Sequence, residues 1–64
     1  MYQAVLTACL VVANPCTQFE ELTSEVRFEN VHVCQEYGFQ WLDRMEAEHP
    51  EREWLRAVLC RWVE

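Results

Sequence analysis

Four cysteines and two histidines are the side chains of this 64-residue sequence best suited to metal binding or nucleophilic catalysis: Cys9, Cys16, Cys34, Cys60, His32 and His49. Structural zinc sites normally take two of their ligands from a C-x₂₋₄-C pair, and no two of these cysteines are that close. His32 and Cys34 form the one close pair, and such a spacing is common by chance. We therefore expect no metal ion and no other cofactor.

A cysteine–histidine dyad is the catalytic arrangement these residues would allow. Cys34 could pair with His32 or His49, because thiolate chemistry requires an adjacent base. The sequence indicates neither an oxyanion hole nor a third orienting group, and a chain this short rarely encloses a substrate pocket. We expect a protein that is not an enzyme and has no catalytic, cofactor-binding or metal-binding residues.

The charge of the sequence restricts its partners. Eleven acidic residues and five basic residues give a formal charge of −6, and every base is an arginine. The absence of lysine excludes Schiff-base chemistry and a P-loop. A net negative surface disfavours nucleic acid and anionic membranes, which both require basic patches. The partner expected from this balance is another protein, and self-association is a further possibility.

Residues 1–19 contain no charged side chain. The apolar run at 4–13 is about half the length that a helix needs to span a bilayer, and no positive segment precedes it as in a signal peptide. Because both alternating faces of the run are apolar, it predicts a central β-strand that is covered on both sides and ends at a turn, Asn14-Pro15.

The next segments predict a loop and a second strand. Residues 16–24 are expected to form a loop with Phe19 and Leu22 against the core. Residues 25–33 alternate between polar and apolar types, as in an edge strand with one solvated face. The alternation slips by one position at Glu29-Asn30, which indicates a β-bulge or a tight turn there.

Residues 34–48 carry the clearest helical pattern. His49-Pro50 ends it, because the residue before a proline is disfavoured in helical conformation. Gly38, the only glycine, is explained by close packing of the helix against a strand. One face carries apolar or small residues at helical spacing and is predicted to be core: Cys34, Tyr37, Gly38, Trp41, Leu42 and Met45.

The final segment, 51–63, is compatible with two structures. As a helix it would place Trp54, Leu55 and Trp62 on one stripe. As a strand it would alternate Leu55 and Leu59 with Arg56 and neighbouring residues. Periodicity alone favours the helix slightly.

A resemblance favours the strand. The opening strand, the Asn14-Pro15-Cys16 turn, the helix that Cys34 opens, the Glu48-His49-Pro50 step and the late Cys60 resemble a loose group of very short alphaproteobacterial and phage proteins. The resemblance implies a strand before Cys60. It implies no known activity.

With that final strand, residues 1–64 form one α+β domain of order β-β-α-β, in which one helix packs on a short sheet. A right-handed crossover from the second strand to the last places Cys34 and Cys60 at the same end of the molecule. We therefore predict a Cys34–Cys60 disulfide, the alternative being four free thiols in a reducing cytosol. For Cys9 a free thiol is expected.

The function predicted from these features is that of a non-enzymatic accessory protein, encoded by a phage or prophage, that binds another protein to inhibit a host process or host defence. Alternatives are a minor structural or decoration component of a phage particle and a small zinc or thiol-redox protein. The expected location is the host cytoplasm or the particle. The predicted interaction surface combines acids with tryptophans: Glu20, Glu21, Glu25, Glu29, Glu36, Asp43, Glu46, Trp54 and Trp62.

Overall fold

Three strands and one helix make up the described part of the chain. The computed structural model describes residues 1–9 and 16–64, which contain β1 (Tyr2–Cys9), β2 (Phe19–Phe28), α1 (Val31–Glu48) and β3 (Leu59–Trp62). The predicted β-β-α-β order and α+β class are confirmed. The helical alternative for 51–63 is wrong, and the strand that replaces it is four residues long, shorter than predicted.

β1 is the central strand of an antiparallel sheet of order β2-β1-β3. Ala4, Val5, Leu6 and Ala8 are each at most 1% exposed, so the strand is buried on both faces as predicted. The remainder of the predicted strand and its Asn14-Pro15 turn lie outside the described residues.

β2 begins earlier than predicted. The strand starts at Phe19, so the expectation of a loop over 16–24 is wrong from residue 19 onward. Phe19 is about half exposed and does not enter the core, whereas Leu22 packs against the core as expected. β2 lies at an edge of the sheet, which confirms the edge position predicted from its alternating polar and apolar residues.

The predicted turn at Glu29-Asn30 is the bend that joins β2 to α1, whereas the β-bulge lies at Ser24. Gln3 pairs with Arg27 and Val5 with Thr23, so three β2 residues stand opposite Ala4. The buried Ser24 hydroxyl accepts a hydrogen bond from the Ala4 N–H at 3.0 Å and donates one to the Val26 carbonyl at 2.8 Å. The serine side chain thereby replaces the backbone partners that the bulge removes from the ladder.

Asn30 sets the start of the helix. Its side-chain oxygen accepts a hydrogen bond from the His32 N–H at 2.7 Å, as an N-cap residue does. Val31 and Val33 are therefore helical, and their prediction as strand residues is wrong. The helix ends at Glu48 as predicted, and the N–H of His49 bonds to the Met45 carbonyl at 2.8 Å.

The core lies between α1 and one face of the sheet. Leu42 of the helix packs with Leu6, Ala8 and Trp54, and a second set of half-buried side chains surrounds them: Leu22, Trp41, Met45 and Val58. The predicted core face of the helix is confirmed, because Cys34, Gly38 and Leu42 are its buried residues.

The crossover from β2 through α1 to β3 positions two cysteines. β2 and β3 are both antiparallel to β1, so they run in the same direction and α1 returns between them. The start of the helix and the end of β3 consequently lie at one end of the molecule. Cys34 and Cys60 form a disulfide there, with their Cα atoms 6.2 Å apart, and this is the pair that the sequence analysis predicts.

Gly38 allows the helix to approach the segment before β3. A Cβ atom built on Gly38 would overlap the side chain of Val58. We expect Gly38→Ala to lower the free energy of unfolding in urea, because overpacking costs about 1–3 kcal/mol and outweighs the ~1 kcal/mol gain in helix propensity.

Two variants test whether that steric overlap is the cause. Val58→Ala should remove the clash, so Gly38→Ala should be less destabilising in the Val58→Ala background than in the wild type. Gln40→Ala, on the exposed side of the helix, should change stability by about 0.5 kcal/mol or less. A Gly38→Ala protein more stable than the wild type would contradict the steric explanation.

Candidate protein-binding surface

Four of the seven predicted surface acids are engaged in ion pairs within the chain. Glu20 pairs with Arg52 at 2.7 Å and Glu21 with Arg61 at 3.2 Å, while Asp43 and Glu46 both contact Arg56. The three arginines all belong to residues 52–61. These acids therefore attach the C-terminal segment to β2 and α1, and they are less available to a partner than the sequence suggests.

Arg56 illustrates this role. Its guanidinium donates hydrogen bonds to Glu46 and to Asp43, the latter at 3.1 Å, and both carboxylates lie on α1. The bond to Glu46, and then the bond to Asp43, raise the pKa of Arg56 above its ordinary value. Since all three side chains are partly solvent-exposed, the contact guides the irregular segment over the helix more than it stabilises the fold.

The remaining predicted acids form a smaller set. Glu25, Glu29 and Glu36 are exposed, and none makes an ion pair with any residue in 1–9 or 16–64. They lie at the end of β2, in the bend that follows and in the first half of α1. Their charge is available to a partner, so the acidic part of the candidate surface is reduced to these three residues.

The sheet face opposite the helix is covered by polar side chains from the edge strands. Val5 points to this face together with Thr23 and Leu59, its cross-strand neighbours, and is only 1% exposed. Glu21 of β2 and Arg61 of β3 meet across the central strand, which places their ion pair over Val5. An ion pair thus covers the central strand where no helix does.

A second bridge crosses the same face. Arg27 of β2 donates a hydrogen bond of 2.9 Å to the backbone carbonyl of Glu64, just beyond β3. The charged amino terminus donates a bond of 2.9 Å to the Val63 carbonyl at the same end of the sheet. Both edge strands are therefore fixed to each other across β1 as well as to β1 itself.

The two tryptophans assigned to the surface have opposite environments. Trp54 is 9% exposed, its indole N–H donates to the His49 carbonyl at 3.3 Å, and Arg52 lies over its ring. Trp54 therefore offers a partner little exposed area, and its assignment to an interaction surface stays a prediction. Trp62 is 63% exposed and packs edge-on against Tyr2, with ring centroids 5.1 Å apart.

Further exposed apolar residues, which the sequence analysis did not assign to the surface, lie near β3. Leu59 is 52% exposed and Leu55 is 50% exposed. The sequence shows the alternation of Leu55 and Leu59, but their exposure follows only from the shortness of β3 and its position at the edge of the described sheet. Leu59 and Trp62, both on β3, are called the apolar edge below, whereas Leu55 lies beside Thr7 toward the other end of β1.

The second pair of cysteines is also oxidised. Cys9 and Cys16 form a disulfide, so the expectation of a free thiol at Cys9 is wrong. The two residues also line a shallow depression at the end of β1, whose other walls are Phe19, Glu53, Trp54 and Leu55.

These disulfides bear on the metal and catalytic alternatives. While both bonds are intact, no cysteine supplies a thiolate ligand or nucleophile. The possible catalytic dyads of Cys34 with His32 or with His49 therefore cannot operate. His49 instead caps α1 and its ring contacts Glu51. Within residues 1–9 and 16–64, no group of three or more His, Cys, Asp or Glu side chains is placed to hold a metal ion.

Comparisons of the chain with protein-family models, with curated proteins and with solved structures found no match. Among the described residues, no helix combines the length and the apolar character needed to cross a membrane.

The structural role of the paired acids can be measured by neutralising them one at a time. Glu20→Gln should lower the free energy of unfolding by about 1 kcal/mol, because the Glu20–Arg52 pair is the least exposed, and Glu21→Gln by a few tenths. Glu36→Gln, which removes an acid without an ion pair in the described chain, serves as the matched control and should have no cost.

Urea unfolding at low and high salt measures all three variants. The costs of Glu20→Gln and Glu21→Gln should shrink at high salt, because screening weakens exposed ion pairs. Equal stabilities for the three variants at low salt would show that the ion pairs do not hold the C-terminal segment.

Proposed function

We propose that this protein is a non-enzymatic binding protein, encoded by a phage or prophage, that inhibits a host protein by occupying one of its surfaces. The observation that carries the proposal is the apolar edge, in which Leu59 and Trp62 are more than half exposed on a strand at the border of the sheet. The phage origin rests on the resemblance to short alphaproteobacterial and phage proteins.

Trp62 has the features of a binding anchor. Tryptophan is enriched among the residues that dominate binding energy at interfaces. Contact with Tyr2 holds the indole in place while leaving most of it exposed. Because the side chain is already ordered, a partner that covers it loses less conformational entropy than with a freely rotating residue.

The position of β3 supports a specific mode of binding. In the described part of the chain, β3 pairs with β1 on one side and with no strand on the other. An edge strand can accept an extended segment of another protein through backbone hydrogen bonds. Alternate side chains of that segment would then contact Leu59 on one face of the sheet and Trp62 on the other.

The unpaired acids support a basic partner. Glu25, Glu29 and Glu36 contribute negative charge that is not neutralised by an ion pair within the described residues. Charge complementarity mainly accelerates association and selects among partners. A host protein that uses a basic surface to bind nucleic acid would have the required charge, and its occupation would be inhibitory. Simple solubility is the competing explanation for these acids.

Substitution of Trp62 tests the apolar edge. A partner captured from the native host with the wild-type protein should bind Trp62→Ser at least tenfold more weakly, because the anchor is lost. Phe39→Ser is the matched control, since Phe39 is an exposed aromatic residue on α1, and it should bind within twofold of the wild type. Equal effects of the two substitutions would contradict the proposal.

Neutralisation of the unpaired acids tests whether their charge attracts a basic partner. Glu25→Gln, Glu29→Gln and Glu36→Gln together should slow association with that partner and reduce its salt dependence, because steering is lost. The matched control changes the net charge equally at exposed acids elsewhere: Glu48→Gln, Glu53→Gln and Glu64→Gln. If both triple variants associate alike, local complementarity is excluded and the acids serve solubility.

A minor structural or decoration component of a phage particle is the second candidate. The same open edge favours it, because the edge strands of two copies can pair. In that case gel filtration would show concentration-dependent growth of the wild type that Trp62→Ser abolishes, in place of a monomer.

A further inference from the structure

The two disulfides lie in different environments. Cys34 is completely buried between α1 and the sheet, and its bond to Cys60 ties the helix to β3. Cys16 is half-buried in the irregular segment before β2, and both Cys16 and Cys9 line the depression at the end of β1. Cys60, like Cys16, is half-buried, so each bond joins one buried and one half-buried cysteine. The depression against Cys9 and Cys16 is what gives a reagent in solution an approach to that bond.

We propose that the Cys9–Cys16 disulfide is a thiol–disulfide exchange site, at which an uncharged dithiol attacks the Cys16 sulfur while Cys34–Cys60 stays intact. The inference concerns the opposite end of the sheet from Trp62 and does not depend on the proposed binding function.

The exchange proceeds in two balanced steps. A thiolate of the dithiol forms a bond to Cys16 Sγ, the bond between Cys16 and Cys9 breaks, and its electron pair leaves on Cys9 Sγ, which takes up a proton. The second thiol of the reagent then attacks the reagent's first sulfur, which is bonded to Cys16 in the mixed disulfide, and Cys16 is released as a thiol. The protein gains two electrons and two protons, and the dithiol becomes a disulfide.

Burial and charge determine the point of attack and the reagent. Cys16 is the more exposed partner, since Cys9 is only 3% exposed. Glu53 forms one wall of the depression and the chain carries a net charge of −6. Like charges repel, so an anionic thiol such as glutathione is disfavoured relative to an uncharged one.

The protein should remain folded after this exchange. Cys9 and Cys16 are seven residues apart, against 26 for Cys34 and Cys60. Closing the shorter loop restricts the unfolded chain less. The factor by which this disulfide raises the folding equilibrium constant is therefore about sevenfold smaller. The end of β1 also keeps two backbone bonds, from the Cys9 N–H to the Glu53 carbonyl at 2.8 Å and from the Leu55 N–H to the Thr7 carbonyl at 3.0 Å.

Timed reduction of the wild-type protein tests the proposal directly. The folded protein is incubated with dithiothreitol, quenched with iodoacetamide at intervals and analysed by intact mass and peptide mapping. A species alkylated at Cys9 and Cys16 should form at least ten times faster than the fully alkylated chain, with an unchanged far-UV circular dichroism spectrum. Reduction of both bonds at one rate, first alkylation at Cys34 and Cys60, or reduction only after the spectrum collapses would overturn it.

Two further measurements test the identity of the reduced bond and the preference for an uncharged reagent separately. The Cys9→Ser, Cys16→Ser double variant should keep its spectrum and remain unalkylated over the interval in which the wild type reacts. Glutathione at equal thiolate concentration should react at least threefold more slowly than dithiothreitol at low salt, and the gap should close at high salt. Equal rates at low salt would overturn the preference for an uncharged reagent.

Discussion

The burial of β1 on both faces is the constraint from which the rest of the structure follows. One face packs against α1, and the absence of a side chain at Gly38 lets the helix lie close to Val58. No helix of the described residues lies on the other face, and the Glu21–Arg61 ion pair lies over Val5 instead. Charged side chains from the two edge strands therefore contribute to the burial of β1 on this face.

This solution also determines which charges are left for a partner. The acids and arginines that hold the C-terminal segment are separated by 10 to 40 residues in sequence, so their pairing depends on the tertiary fold. Once those pairs are made, the excess negative charge that can act on another molecule includes Glu25, Glu29 and Glu36. The candidate surface consequently contains fewer acids than the net charge suggests. Its exposed apolar residues, Trp62 and Leu59, lie on β3.

The sequence predicted features that depend on a long pattern or on topology alone. The core stripe of α1 extends over several turns, and the Cys34–Cys60 pair follows from the crossover once a final strand is assumed. The start of α1 was missed because Val31 and Val33 fit a strand as well as a helix, and so short a run does not distinguish the two periods. The Cys9–Cys16 bond does not follow from the sequence, because Cys9 fits a buried apolar position of the strand and the pattern does not show that it meets Cys16.

β1 also separates the two places where this molecule meets its surroundings. Tyr2 at its start supports Trp62, whereas Cys9 at its end belongs to the exchange-accessible disulfide. Eight residues of strand at about 3.3 Å each place these ends more than 20 Å apart, with the Glu21–Arg61 bridge between them. Because Cys34–Cys60 fixes the helix and β3 independently of the first disulfide, reduction at Cys9–Cys16 leaves the support of Trp62 unchanged. The proposed binding and the proposed thiol exchange can therefore be tested independently of each other.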